Sequence, residues 1–143
     1  MTTYIDSCLI LLTYKGKVLL LQQDDILHQF SNNEWHFIEK IKEKNKSIIE
    51  TIIQEVERET NIKLDSVSFI LSVLHNDRME NLFHARLTDK NVNNIQRAEG
   101  RVLSFFTVQE LKKLKLRSST QLILSEYNTL IENLPINETN SNL

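Results

Sequence analysis

The sequence predicts a single domain of the α/β class. Three observations carry that expectation: two apolar segments joined by a tight turn near the N-terminus, one amphipathic helix with clear start and stop signals, and strand-like runs on both sides of it. At 143 residues the chain suits one compact domain, long enough to bury roughly 70% of the surface its unfolded form exposes. The domain is expected over residues 1–134, with 135–143 a polar, disordered tail.

Tyr4 to Tyr14 is rich in Ile, Leu and Tyr and reads as a long strand. Lys15-Gly16-Lys17 is a tight turn, and Val18 to Gln22 the returning strand. Asp24 to Asn33 is polar and irregular and reads as a loop, while Trp35 to Ile38 alternates like a short strand. Glu39 to Lys46 is charged, without periodicity, and is expected to be a loop. Ser47-x-x-Glu50 has the form of a capping box, so a helix starts there. Ile48, Ile49, Ile52, Ile53 and Val56 recur at helical spacing as one apolar face. Asn61 follows at the left-handed position that ends helices, where asparagine is the best substitute for glycine.

Val67 to Leu74 and Asn81 to Leu87 read as strands joined by the polar turn His75 to Glu80. Asp89 to Gln96 is Asn-rich and reads as a loop, and Arg101 to Phe106 is a further strand. Thr107-x-x-Glu110 is a second capping box, opening a short helix through Leu114. A last helix starts at Ser118 or Ser119, carries Leu122, Ile123, Tyr127, Leu130 and Ile131 at helical spacing, and stops at Pro135.

Composition removes several functions. Average usage would give about ten glycines in a chain of this length; only Gly16 and Gly100 occur. Phosphate cradles built from several neighbouring glycines, the P-loop and the dinucleotide fingerprint among them, are therefore excluded. The single Cys8 excludes an internal disulfide framework and a cysteine-cluster zinc site, and in its apolar run it reads as a small buried hydrophobe. A net charge of −2 lacks the basic footprint of a general nucleic-acid binder. The run Cys8 to Leu12 is too short to span a bilayer, and Met1 lacks a basic flank, so no membrane association and a cytoplasmic location are expected.

On a helical wheel of about 100° per residue, Glu59 projects inside the apolar face of the 47–60 helix, between Ile48 and Ile52. Glu55 lies one turn earlier at the edge of that face. Two like charges, partly desolvated and close to the negative end of a helix dipole, need a cation. A hard divalent metal such as Mg²⁺ would serve. So would internal ion pairs: Arg58 stands three residues from Glu55, and lysines occupy positions 40, 42, 44 and 46 just upstream. Both readings stay open at this level.

The order of these segments, with Trp35 and Phe37 before the charged loop, Glu99-Gly100 before a strand ending in Phe105-Phe106, and Glu110-Leu111 opening a short helix, resembles the Nudix hydrolase domain. That family's box reads G-x5-E-x7-R-E-U-x-E-E-x-G-U, with U a bulky aliphatic residue. Placed without gaps it runs from Lys40 to Ile62, where Glu55, Val56, Glu59 and Ile62 match. Lys40, Lys46, Gln54, Arg58 and Asn61 stand where the family has Gly, Glu, Arg, Glu and Gly. The resemblance covers roughly Ser7 to Leu130 and implies an α/β/α sandwich with a mixed sheet between helices. It also implies a nucleotide-type small molecule as partner, and a homodimer as an assembly common in folds of this type.

By the same resemblance, Glu55, Glu59 and Glu99 would be metal ligands for Mg²⁺ or Mn²⁺ and the catalytic carboxylates, Glu99 as a further ligand or as general base. Taken by itself, Glu99 reads as a solvated loop residue. Lys40 and Glu43, in the loop that approaches the ligand, and Phe30 and Trp35, which could stack on a base, are the substrate-contacting candidates; Trp35 also reads as a core residue. The departures point one way. Arg58 and Lys46 put cations where carboxylates belong, Gln54 removes an arginine, and Lys40 replaces a glycine. Removing carboxylates while adding cations substitutes fixed charge for bound metal. The expectation is a retained fold and a pyrophosphate-sized pocket with metal-dependent hydrolysis weak or absent. An active Mg²⁺-dependent pyrophosphohydrolase and a protein-interaction module with a closed cleft are the alternatives. His28, His36, His75 and His84 lack zinc-site spacing, and Ser118-Ser119-Thr120 reads as a helix start rather than a nucleophile.

Overall fold

The computed structural model describes residues 3–23 and 33–126. β1 (Ile5–Tyr14) and β2 (Lys17–Gln23) form the first hairpin, followed by β3 (Trp35–His36), β4 (Ile38–Ile41) and the main helix α1 (Ile48–Thr60). A second hairpin, β5 (Ser68–His75) and β6 (Arg78–Arg86), leads to the short α2 (Asp89–Asn93). β7 (Arg101–Thr107), α3 (Val108–Leu111) and α4 (Ser118–Glu126) complete the described chain.

The sheet is mixed, ordered β3-β2-β1-β6-β5, with β4 paired to β1 and β7 to β2. β1 runs parallel to β6 from Ile5↔Arg78 to Thr13↔Arg86. Its other edge is shared, with Ser7–Ile10 facing β4 and Thr13–Tyr14 facing β2. β2 then turns away towards β7, and β3 and β4 fill the gap. The split at Phe37 has a local cause: its N–H donates to Thr120 Oγ1 at 3.1 Å, out of the ladder, while its carbonyl accepts from His36 Nδ1 at 2.7 Å.

Because β1 is covered on both faces, its run Cys8–Leu12 is apolar without alternation and wholly buried. Cys8, Ile10 and Leu12 pack with Ile52 and Val56 of α1 on one face. On the other, Leu9, Leu11, Phe37 and Leu82 pack with Leu111 and Ile123. Helices thus cover both faces of a mixed sheet, the α/β arrangement that the sequence predicts. Both hairpin turns need left-handed residues, and take them at Lys15-Gly16 (φ 49° and 78°) and at Asn76-Asp77 (φ 51° and 63°).

Several local expectations need correction. The 39–46 stretch is not all loop, since Glu39–Ile41 belongs to β4 and pairs with Ser7–Leu9. The 89–96 stretch holds α2, capped reciprocally by Thr88 and Asn91 at 3.0 and 2.9 Å. α3 ends at Leu111 rather than Leu114, although both bonds of its Thr107–Glu110 capping box form. At Ser47 only half the box forms: its hydroxyl accepts from Glu50 N at 3.1 Å, while the Glu50 carboxylate meets that hydroxyl and not the backbone amide. Phe30, the 24–32 part of the polar loop, Tyr127, Leu130, Ile131, Pro135 and the 135–143 tail lie outside the described residues. Among the described residues no helix is long and apolar enough to cross a membrane.

Candidate functional site

α1 presents its carboxylates inward more fully than the wheel implies. The buried residues are Thr51, Ile52, Glu55, Val56, Glu59 and Thr60, while Ile49 is 47% exposed. The inward face is therefore turned by about 40° from the centre of the predicted apolar face, towards Glu55 and Glu59. Asn61 closes the helix at φ 66°, its amide bonded to the Glu57 carbonyl at 2.8 Å. The chain after α2 docks on this end: Gln96 N donates to the Thr60 carbonyl at 2.9 Å and Ala98 N to the Glu59 carbonyl at 3.2 Å. A turn at Gly100, φ 77°, then sends β7 back across the sheet. An added Cβ at Gly100 would meet nothing within 4 Å, so the backbone angle alone is what asks for glycine.

This docking delivers Arg101 to α1. Its Nε stands 3.2 Å from Glu59 Oε2, and Arg58 Nη2 stands 2.8 Å from Glu59 Oε1. Neither N–H is aligned on its oxygen, so among the described residues both Glu59 oxygens, buried with the residue only 1% exposed, lack a hydrogen bond. Glu55 is better served: Arg58 forks onto it, Nε to Oε1 at 2.9 Å and Nη2 to Oε2 at 2.7 Å. That fork holds the Arg58 guanidinium above its already high ordinary range. Two carboxylates and two guanidiniums thus form one compact, charge-balanced cluster against the sheet.

Such a cluster does not fit a divalent ion as it stands. A hard ion wants six or more oxygens at about 2.0–2.6 Å, and here both carboxylates already face cations that would repel it. Glu99 sits on the exposed turn between Ala98 and Arg101, beside the cluster in sequence. Among the described residues no group of three or more His, Cys, Asp or Glu is arranged to hold a metal.

The remaining candidates disperse. Lys40 pairs in register with Cys8, on the sheet face that α1 covers. Glu43 ion-pairs with Lys46 at 2.8 Å, which lowers its pKa, and Lys46 also donates to the Gln54 side-chain oxygen. Two positions that the resembled box gives to Glu and Arg therefore still touch, with Lys and Gln in their place. Trp35 packs in the α4-side core, edge-on to Phe106 at 4.8 Å, so it is placed across the sheet from Glu55 and Glu59.

Arg101 is the cluster member that sequence reasoning missed. The alternation Arg101, Leu103, Phe105 on a strand was the available signal, because it puts all three on one face. Other buried polar groups lie apart. Cys8 is pushed up to about 12 by burial and by Asp6, consistent with an inert core thiol. His36 is held below its usual value by burial and by Arg117. On the α4-side face, Glu39 ion-pairs with Arg117. Among the described residues buried Glu80 has no hydrogen bond to Oε2, and it is pushed up to about 7 by burial, Glu39 adding to the effect.

No protein-family model matches the sequence, and no curated protein matches it. Solved structures do. The MutT NUDIX hydrolase of Burkholderia pseudomallei superposes with a TM-score of 0.70 at 16% identity, covering 86% of this chain and 97% of its own. The NUDIX domain of Shewanella oneidensis NrtR, complexed with ADP ribose, gives 0.66 at 14%, covering 91% and 90%. A bifunctional NMN adenylyltransferase/ADP ribose pyrophosphatase of Francisella tularensis, complexed with AMP and a Mn ion, gives 0.70 at 13%. The overlap is 92% of this chain and 43% of that larger one. Identities this low speak for architecture. The chain has the Nudix fold, and the arginine-bound carboxylates lie on the helix that the resemblance identified as its box.

Proposed function

We propose that this chain is a diverged Nudix protein that recognises a nucleoside-diphosphate-linked small molecule, with metal-dependent pyrophosphate hydrolysis impaired. The observation that carries this reading is the pairing of Glu55 and Glu59 with Arg58 and Arg101. A diphosphate bridge is anionic, and two bare carboxylates beside it would repel it. The guanidiniums cancel that repulsion without a bound ion. Arg58 spends Nε and Nη2 on the carboxylates and Arg101 spends Nε, which leaves Nη1 of Arg58 and both Nη groups of Arg101 as donors for phosphoryl oxygens. The resemblance to domains named as complexed with ADP ribose supports the ligand class.

A second reading, the Mg²⁺- or Mn²⁺-dependent pyrophosphohydrolase acting through Glu55, Glu59 and Glu99, draws on the two Glu59 oxygens that lack a hydrogen bond. Turnover separates the two. A panel of nucleoside-diphosphate-linked compounds with Mg²⁺ or Mn²⁺ is expected to yield no metal-dependent product. Metal-dependent cleavage abolished by Glu59→Gln would contradict the proposal and establish the enzyme.

A further inference from the structure

A cleft of about 810 Å³ opens beyond the C-terminal end of α1, between the 61–68 loop, the end of β6 and α2. None of Glu55, Arg58, Glu59 and Arg101 lines it, so it is distinct from the cluster above. Its volume lies within the roughly 300–1,000 Å³ typical of small-molecule sites. Lys63, Arg86 and Lys90 line it against one carboxylate, Asp65, in a chain whose net charge is −2. Neither Lys63 nor Lys90 makes a salt bridge among the described residues.

Ile62, Leu64, Val67 and Ala85 make up the apolar part of an otherwise polar lining. Ile62 is buried, and Leu64 and Val67 pack against the α1-side core. Its walls are tied together: Asn61 Nδ2 donates to the Asn94 carbonyl at 3.1 Å, Leu87 N to the Thr13 carbonyl at 2.8 Å, and Thr88 and Asn91 cap each other. His84 Nε2 is held 2.8 Å from Thr13 Oγ1. The cations therefore border a pre-formed recess, which limits the ordering cost of binding.

We propose that this cleft is a second ligand site, separate from the Glu55–Glu59 cluster, which takes a small polyanion bearing two or more phosphate groups. Lys63 and Lys90 select negative charge, and the partly exposed Leu64 and Val67 accept the uncharged part of the ligand. A nucleic acid would need a longer stripe of positive charge to follow its backbone, whereas Lys63 and Lys90 at one recess suit a compact ligand.

Inorganic tripolyphosphate is the probe, titrated without metal into the full chain at low and physiological salt. Calorimetry reads the affinity and backbone amide chemical shifts read the location. Saturable binding is expected, weakened by salt, with shifts at residues 63–68 and 84–91. The double variant Lys63→Glu/Lys90→Glu should weaken the binding read at those amides by at least about tenfold. Lys63→Gln/Lys90→Gln is the control should the charge reversal disturb folding, and it should weaken binding in the same direction. Absence of saturation, shifts confined to the surroundings of Arg58 and Arg101, or an unchanged affinity in both double variants would overturn the assignment. Preferential binding of a single-stranded oligonucleotide at the same amides would overturn the small-molecule class. Loss of the proposed function at Glu55 and Glu59 would leave all these outcomes unaffected.

Discussion

Arg58→Ala is the most informative single substitution. It removes both well-formed hydrogen bonds to Glu55, whose side chain is 8% exposed, and leaves Glu59 with Arg101 alone. Hydrogen bonds to a charged group contribute about 1.5–3 kcal/mol each, and stripping one partner from a fully buried ion pair costs about 3–5 kcal/mol. The Arg58 side chain is itself 55% exposed, so water replaces part of what is lost and the net cost falls to about 2–3 kcal/mol. For a chain of 143 residues the unfolding entropy is about 0.3 kcal/mol/K, which places the fall in Tm at roughly 7–10 °C. The freed carboxylates should then accept a cation. With a Kd of about 1 mM, 10 mM Mn²⁺ would restore about 1.4 kcal/mol, or roughly 5 °C. The assay is a thermal melt of both proteins in chelator and in 10 mM Mn²⁺. A variant that melts with the parent in chelator, or Mn²⁺ that stabilises the parent as much as the variant, would refute this role of Arg58.

Three further outcomes follow from groups elsewhere in the fold. Burial and Glu39 raise Glu80 from an ordinary 4.5 to about 7, so the folded state holds its proton more tightly than the unfolded chain does. That contribution is fully present below about pH 4.5, is lost as pH rises towards 7, and is flat above it, amounting to on the order of 3 kcal/mol. Glu80→Gln should remove this slope, and Tm profiles of variant and parent that run parallel from pH 4.5 to 7 would contradict the assignment. Asn61→Ala forces alanine to φ 66° and deletes the bond to Asn94. It should cost about 1–2 kcal/mol in chemical denaturation, and an unchanged midpoint would refute the cap. Cys8, raised to about 12 by burial, should resist thiol-specific labelling in the native protein at pH 8, and rapid stoichiometric labelling would show that β1 is not buried as described.

Features coded by neighbours along the chain were legible. Ser47, Asn61 and Thr107 marked helix ends correctly because a cap is local chemistry, read within three or four residues. The apolar run of β1 announced a long strand for the same reason. Features decided between distant segments were not legible. The charged Glu39–Ile41 looks like a loop until Ser7–Leu9 supplies its ladder, and α2 hides behind an asparagine-based cap that lacks the usual acidic residue. At the candidate site the wheel placed Glu59 inward, but the Glu55–Arg58 pair could be foreseen only as one of two ways to neutralise the carboxylates. Arg101 lies 42 positions from Glu59, and only the docking of residues 96–98 on the end of α1 brings the two together.

The replacement of a bound metal by the fixed guanidiniums of Arg58 and Arg101 is tested most directly by a calorimetric titration of ADP-ribose into the chain, once in chelator and once in 10 mM Mg²⁺. Binding in chelator, with a Kd that changes by no more than about twofold on adding Mg²⁺ and weakens in Arg58→Ala, is the predicted result. Binding that requires Mg²⁺, or tightens about tenfold or more with it, would contradict the account.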